Sequence, residues 1–258
     1  MHDNKEEIEE IYTCEECDTR VKSYQRFCHN CGAYLGSDAE KISIFNNSSL
    51  QTAFFFYVIY LFICLTVKYT NWFNSYDHLF WIEISLAVIT ILFASINRKS
   101  LKPVLRFNNF SWYTLFSVIA VAIVFSSVVN IFITKINISI FGTNISLYEG
   151  YRVYEYPVLI MFYSIALMPA LFEELAFRGV LYNYLSGFLD ERLVVMVTGF
   201  VFAAIHLNFF SLIWLIPFGI LIGTLRRKYN TLWYGIIFHF VFNITACLFD
   251  LYRQGELW

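Results

Sequence analysis

The chain reads as an all-α polytopic membrane bundle of about seven to eight spans, preceded by a small N-terminal cysteine module. Three observations support this. Of 258 residues, 58% are hydrophobic and only 15% charged, too apolar for an ordinary soluble domain. Apolar runs recur from residue 52 onward, several near the roughly 20 residues that a span requires. Four of the six cysteines crowd into the first 31 residues as two C-x-x-C pairs, and the other two, Cys64 and Cys247, stand alone in apolar runs.

Residues 1–11 form an acidic, polar tail, the wrong start for a secretory signal or a transit peptide. Residues 12–36 carry C-E-E-C (Cys14, Cys17) and C-H-N-C (Cys28, Cys31) around a short polar hairpin. Paired knuckles of this kind offer four thiolates to one structural Zn2+, which a segment too small to bury a core needs for stability. The alternatives are two disulfides, or one knuckle as a redox dithiol. Asn30 and Gly32 supply turn chemistry, and His29 reads as a solvated knuckle residue. The segment resembles the zinc-ribbon modules at the head of many bacterial membrane proteins. Reduced thiols imply the cytosol.

Residues 37–50, rich in Ser, Asn, Asp and Lys, form a linker. Seven apolar runs follow, at 52–67, 79–96, 111–133, 156–176, 193–210, 212–225 and 232–250, divided into N-terminal transmembrane helices (51–154), a core (155–250) and a tail (251–258). The sixth run is short. Trp72, Trp81, Trp112 and Trp233 cluster near run ends, as interfacial aromatics do. With the N-terminus inside, most Lys and Arg fall on the cytosolic side, including Arg98, Lys99, Arg226, Arg227 and Lys228. The net charge of -2 and the scattered basic residues give no footprint for nucleic acid.

Within the fourth run, L-F-E-E-L-A-F-R-G-V places Glu173, Glu174 and Arg178 at membrane depth. Each such group costs roughly 2.5–3.5 kcal/mol to insert, so the three need partners and mark a functional cavity. Glu174 and Arg178 are i,i+4 neighbours and can pair. Glu173 points about 100° away and needs another partner. The fifth run supplies F-V-F-A-A-I-H, ending at His206. The seventh supplies F-H-F-V-F-N, with His239 and Asn243 one turn apart on one face.

The ordered set E-E-x-x-x-R, F-x-x-x-H and H-x-x-x-N on successive apolar helices resembles the CPBP intramembrane protease family, which groups CAAX prenyl endopeptidases with bacteriocin-processing and immunity proteins. Gly179, the P-F-G-I-L-I-G run with Gly219 and Gly223, and N-T-L-W-Y-G extend the likeness over about residues 155–250. The resemblance implies an intramembrane endopeptidase acting on a peptide or membrane-associated protein, cutting near a C-terminus or membrane boundary. The residues allow Glu173 as general base on a water shared with His206, and Arg178 fixing Glu174. His239 and Asn243 can donate to the tetrahedral oxyanion, as the resemblance also implies. For Glu174, base, metal ligand and salt-bridge partner all stand open. Glu173, His206 and His239 could alternatively hold a catalytic metal, though no H-E-x-x-H helix occurs. Two other classes compete: a non-proteolytic immunity or adaptor protein whose ribbon recruits a cytosolic partner, and a transporter, which the lack of a repeat disfavours. The expected location is the cell membrane, and the ribbon and the compact length suggest a bacterial protein.

Overall fold

A computed structural model describes residues 11–22, 25–36, 47–73, 75–107, 110–143 and 146–256. Most of the acidic tail (1–11) and of the linker (37–50) therefore lies outside the described residues. Two compact units emerge, Met1–Gln51 and Thr52–Trp258.

In the first unit, β1 (Ile11–Thr13) and β2 (Arg20–Lys22) pair antiparallel, with Tyr12 opposite Val21. The hairpin between them is the first knuckle. Asp18 N–H donates to the Cys14 carbonyl at 2.9 Å, and Gly32 N–H donates to the Cys28 carbonyl at the same distance. The residue after the second cysteine of each knuckle is left-handed, Asp18 at φ 52° and Gly32 at φ 76°. Gly adopts that conformation without steric penalty and Asp tolerates it, so each knuckle turns back and its sulfurs face inward.

The second unit is helical. Its long elements are α1 (Ser48–Tyr69), α2 (Tyr76–Ile96), α3 (Trp112–Phe141), α4 (Pro157–Leu185), α5 (Glu191–Ala204), α6 (Leu212–Tyr229) and α7 (Trp233–Gln254). Helix α1 thus begins just inside the expected linker, and α7 runs four residues into the expected tail. Five helices, α1 to α4 and α7, are long and apolar enough to cross a membrane among the described residues. That is fewer than the seven or eight expected. The difference lies in the fifth and sixth runs: α5 has only 14 residues, and α6 ends in Arg226, Arg227 and Lys228.

Local chemistry explains the boundaries. Ser111 Oγ accepts from the Thr114 N–H at the start of α3, and left-handed Gly142 ends it. Asp190 Oδ1 accepts from Arg192 and Leu193 N–H at the start of α5. Helices α1 to α3 are apolar around most of their circumference, with Phe55, Phe62, Trp112 and Phe116 exposed, as lipid contact requires. Helices α5 and α6 pack backbone to backbone. A Cβ added at Gly219 would sit 2.8 Å from Gly199 Cα, so only glycine permits this approach. Helix α4 is not a uniform α-helix, because Phe162–Leu167 and Leu175–Leu181 are π-helical turns on either side of an α segment, Met168–Glu174.

Candidate functional site

Pro169 is the origin of one half of the site. It has no N–H, so the carbonyl four residues earlier, at Ile165, loses its helical donor. Asn243 on α7 fills the gap, its Nδ2 donating to the Ile165 oxygen at 2.8 Å. The Pro169 and Asn243 positions are therefore complementary, and they lock α7 against α4 beside the two acids.

Glu174 and Arg178 are fully buried. Arg178 Nη1 donates to Glu174 Oε1 at 3.1 Å, Nη2 donates to the Gly219 carbonyl at 3.1 Å, and the guanidinium lies 4.4 Å from the Phe202 ring centroid. The cation is thus held by an anion, a carbonyl dipole and a π-face, all desolvated. The same Glu174 Oε1 accepts from His239 Nδ1 at 2.9 Å. Gly235 makes room for this carboxylate, since a Cβ there would lie 3.3 Å from Glu174 Oε2.

With Nδ1 engaged, His239 presents Nε2 outward, 3.9 Å from Glu173 Oε2. That separation is too long for a hydrogen bond and short enough for a water to share both groups. Glu173 Oε2 is buried with no hydrogen-bond partner among the described residues. His206, at the end of α5, is exposed and holds its Nδ1 3.0 Å from the Phe202 carbonyl, which fixes the proton on Nδ1 and leaves Nε2 as an acceptor. A cavity of about 230 Å³ is lined by Glu173, His206, His239 and Asn243, with Phe202, Phe218 and Phe242 among its apolar walls.

Four of the six residues singled out from the sequence therefore meet at one cavity. Glu174 and Arg178 do not line it but stand behind His239. Sequence reasoning gave no role to the Gly219 carbonyl or the Phe202 face, and it passed over Glu83 on α2, which does not line this cavity. Glu83 Oε1 accepts from Ser164 Oγ at 2.7 Å, and Ser164 lies 2.9 Å from the Tyr151 hydroxyl. A lone acid in the run 79–96 was the signal for it. Arg226, read from sequence only as a sidedness marker, is buried and donates to the Arg178 carbonyl and the Asn183 and Asn230 side chains.

In the first unit, the ligand atoms of Cys14, Cys17, Cys28 and Cys31 all lie within 4.8 Å of one another, and no other group of three His, Cys, Asp or Glu among the described residues gathers so closely. Sulfur pairs stand 3.6 Å (Cys14 and Cys31) and 3.5 Å (Cys17 and Cys28) apart. All four are free thiols. A tetrahedral ion with sulfur at 2.3 Å has edges of about 3.8 Å, so the donor set fits a metal such as zinc. The Thr19 hydroxyl and then its backbone hold the Cys17 thiol down to about 6, so one thiolate forms readily. The Ala33 backbone works to lower Cys31, yet neighbouring Cys17 and burial push it up to about 12. Further deprotonation therefore needs a cation to offset the accumulating charge.

A fully buried Glu174, a part-buried Glu173, two imidazoles and an amide, gathered around a cavity of about 230 Å³ among long apolar helices, describe a polytopic membrane protein with a polar site. Residues 155–245, about a third of the chain, match the family model described as Rce1-like, type II CAAX prenyl endopeptidase Rce1-like. That model points to CAAX-type intramembrane endopeptidase activity in general. No curated protein matches the chain. No solved structure matches it either.

Proposed function

We propose that the chain is an intramembrane endopeptidase in which Glu173 is the general base. The observation that carries this reading is the single cavity shared by Glu173, His206, His239 and Asn243. A water there donates one hydrogen to the Glu173 carboxylate and the other to His206 Nε2, which frees an oxygen lone pair to attack a peptide carbonyl. Glu173 takes the proton and returns it to the leaving amine. His239 Nε2 and Asn243 face the developing oxyanion. Nε2 donates only when the imidazole is protonated on both nitrogens. Glu174, held by Arg178, then orients His239 and settles into a positioning role.

The metal version of the site would draw on Glu173, His206 and His239, whose donor atoms are more dispersed than the four sulfurs. In the first unit, Cys14, Cys17, Cys28 and Cys31 hold a structural zinc ion on the cytosolic side and give a cytosolic partner a folded module to dock on. The substrate is a peptide or membrane-associated protein cut near its C-terminus or the membrane boundary.

Membrane and secreted peptides are compared by mass spectrometry between cells carrying the intact protein and cells carrying Glu173→Gln. The expected result is a set of new C-termini that disappears in the variant. Identical peptide sets from a correctly folded Glu173→Gln protein would overturn the reading in favour of a non-proteolytic adaptor or immunity protein.

A further inference from the structure

Helices α5 and α6 have arms too short to cross a bilayer. The 14 residues of α5 rise about 21 Å, and α6 has 18 residues of which the last turn is charged, leaving a similar apolar rise. A hydrocarbon core is about 30 Å thick. Yet no Asp, Glu, Lys or Arg occurs from Leu193 to Leu225, while the base of the hairpin carries Glu191 and Arg192 on one arm and Arg226, Arg227 and Lys228 on the other.

The tip has two further properties. Phe209 is 80% exposed and Phe210 51%, side by side, an apolar pair that the protein covers only in part. The tip also pairs several of its own backbone groups. His206 and Leu207 N–H donate to the Ala203 and Ala204 carbonyls, and Leu212 N–H donates to the Phe209 carbonyl. The Asn208 side-chain oxygen accepts from both Phe210 and Ser211 N–H, and the Ser211 hydroxyl donates to the Asn208 carbonyl. Leu207 takes a left-handed φ of 52° to close this turn. Irregular backbone at membrane depth persists only when its polar groups are satisfied or line a wet cavity, and these bonds meet part of that need.

We propose that α5 and α6 form a re-entrant hairpin, with both bases at one membrane face and the tip, residues 206–211, ending inside the hydrocarbon with Phe209 and Phe210 against acyl chains. His206 sits on this tip and also lines the cavity, so the cavity's mouth lies at bilayer depth. Resting on the endopeptidase reading, the substrate class follows: a peptide segment already embedded in the bilayer, rather than a soluble loop offered from the aqueous face.

The test uses the full chain in sealed membrane vesicles and a polymer-linked maleimide too large for a 230 Å³ cavity. Adducts are counted above those of the parent, which has six cysteines. Glu191→Cys and Lys228→Cys are expected to gain one adduct each from the same face. Phe209→Cys is expected to gain none from either face and one after unfolding in detergent. An adduct on Phe209→Cys in intact vesicles overturns the hairpin, whether from the opposite face, as a true crossing gives, or from the face of the bases, as a surface-lying hairpin gives. A protected Phe209→Cys without any Glu173-dependent cleavage would retain the hairpin and remove only the substrate class.

Discussion

Replacing Glu174 by glutamine keeps the shape of the side chain and strips its charge, which strands Arg178 in a fully buried position. At 3.1 Å and an effective dielectric constant of about 20, the attraction between the two charges is about 5 kcal/mol. Removing one partner of a buried pair typically destabilises by about 3–5 kcal/mol. For a chain of this size that lowers the unfolding midpoint by roughly 10 °C. The Gly219 carbonyl and the Phe202 face remain, so the lower part of the range is expected. The double variant Glu174→Gln with Arg178→Met removes both charges and should recover to within about 1 kcal/mol of the parent, a coupling of at least about 2 kcal/mol. Turnover should behave differently. His239 Nδ1 lacks its carboxylate in both variants, so cleavage stays depressed roughly 100-fold, the scale of losing one oxyanion donor. Thermal unfolding in detergent and cleavage of a membrane-embedded reporter measure the two quantities. A single variant that loses less than about 1 kcal/mol, or a double variant with full turnover, would refute the positioning role of Glu174.

Glu173→Gln should abolish cleavage while leaving the unfolding midpoint within a few degrees of the parent, because Glu173 Oε2 has no hydrogen-bond partner to lose among the described residues. Asn243→Ala leaves the Ile165 carbonyl without a donor and should destabilise by about 1–3 kcal/mol; Pro169→Ala, which restores a helical donor, should suppress that loss in the double variant. Gly219→Leu forces α5 and α6 apart and should lower stability by about 1–3 kcal/mol or more, read by the same unfolding assay. Metal held by the four cysteines requires thiolates, and protons compete as the pH falls toward and below the value of about 6 that Thr19 confers on Cys17. Zinc release into a chromogenic chelator should therefore rise on acidification, and Cys14→Ser should release zinc at neutral pH with the membrane helices still inserted.

The motif residues were legible because ionisable and amide groups are conspicuous in apolar helices, where each demands a partner. The spacing of Glu174 and Arg178 gave their pairing, and that of His239 and Asn243 gave their common face. What could not be read was which helix answers each group. The link from Glu174 to His239 spans 65 positions, and neither flanking sequence encodes it. Pro169 removes a helical donor, and nothing in its local sequence names Asn243 as the replacement. Carbonyls such as Gly219's carry no side-chain signature at all. The span count was overstated for a related reason: hydropathy registers the apolarity of α5 and α6 but is insensitive to the rise of 14 residues.

The two π turns of α4 set the angular phase of the acids between them. Each holds about one residue more than an α turn would, and one residue is worth about 100° around the axis. Restoring ordinary α pitch across 162–167 without deleting a residue would swing Glu173 and Glu174 together by about 100° relative to the start of the helix, whereas deleting the extra residue would let the ladder close with that phase kept. The helix thus stores its chemistry as rotation, and a change that restores ordinary pitch at constant length should be more damaging there than loss of the one extra position.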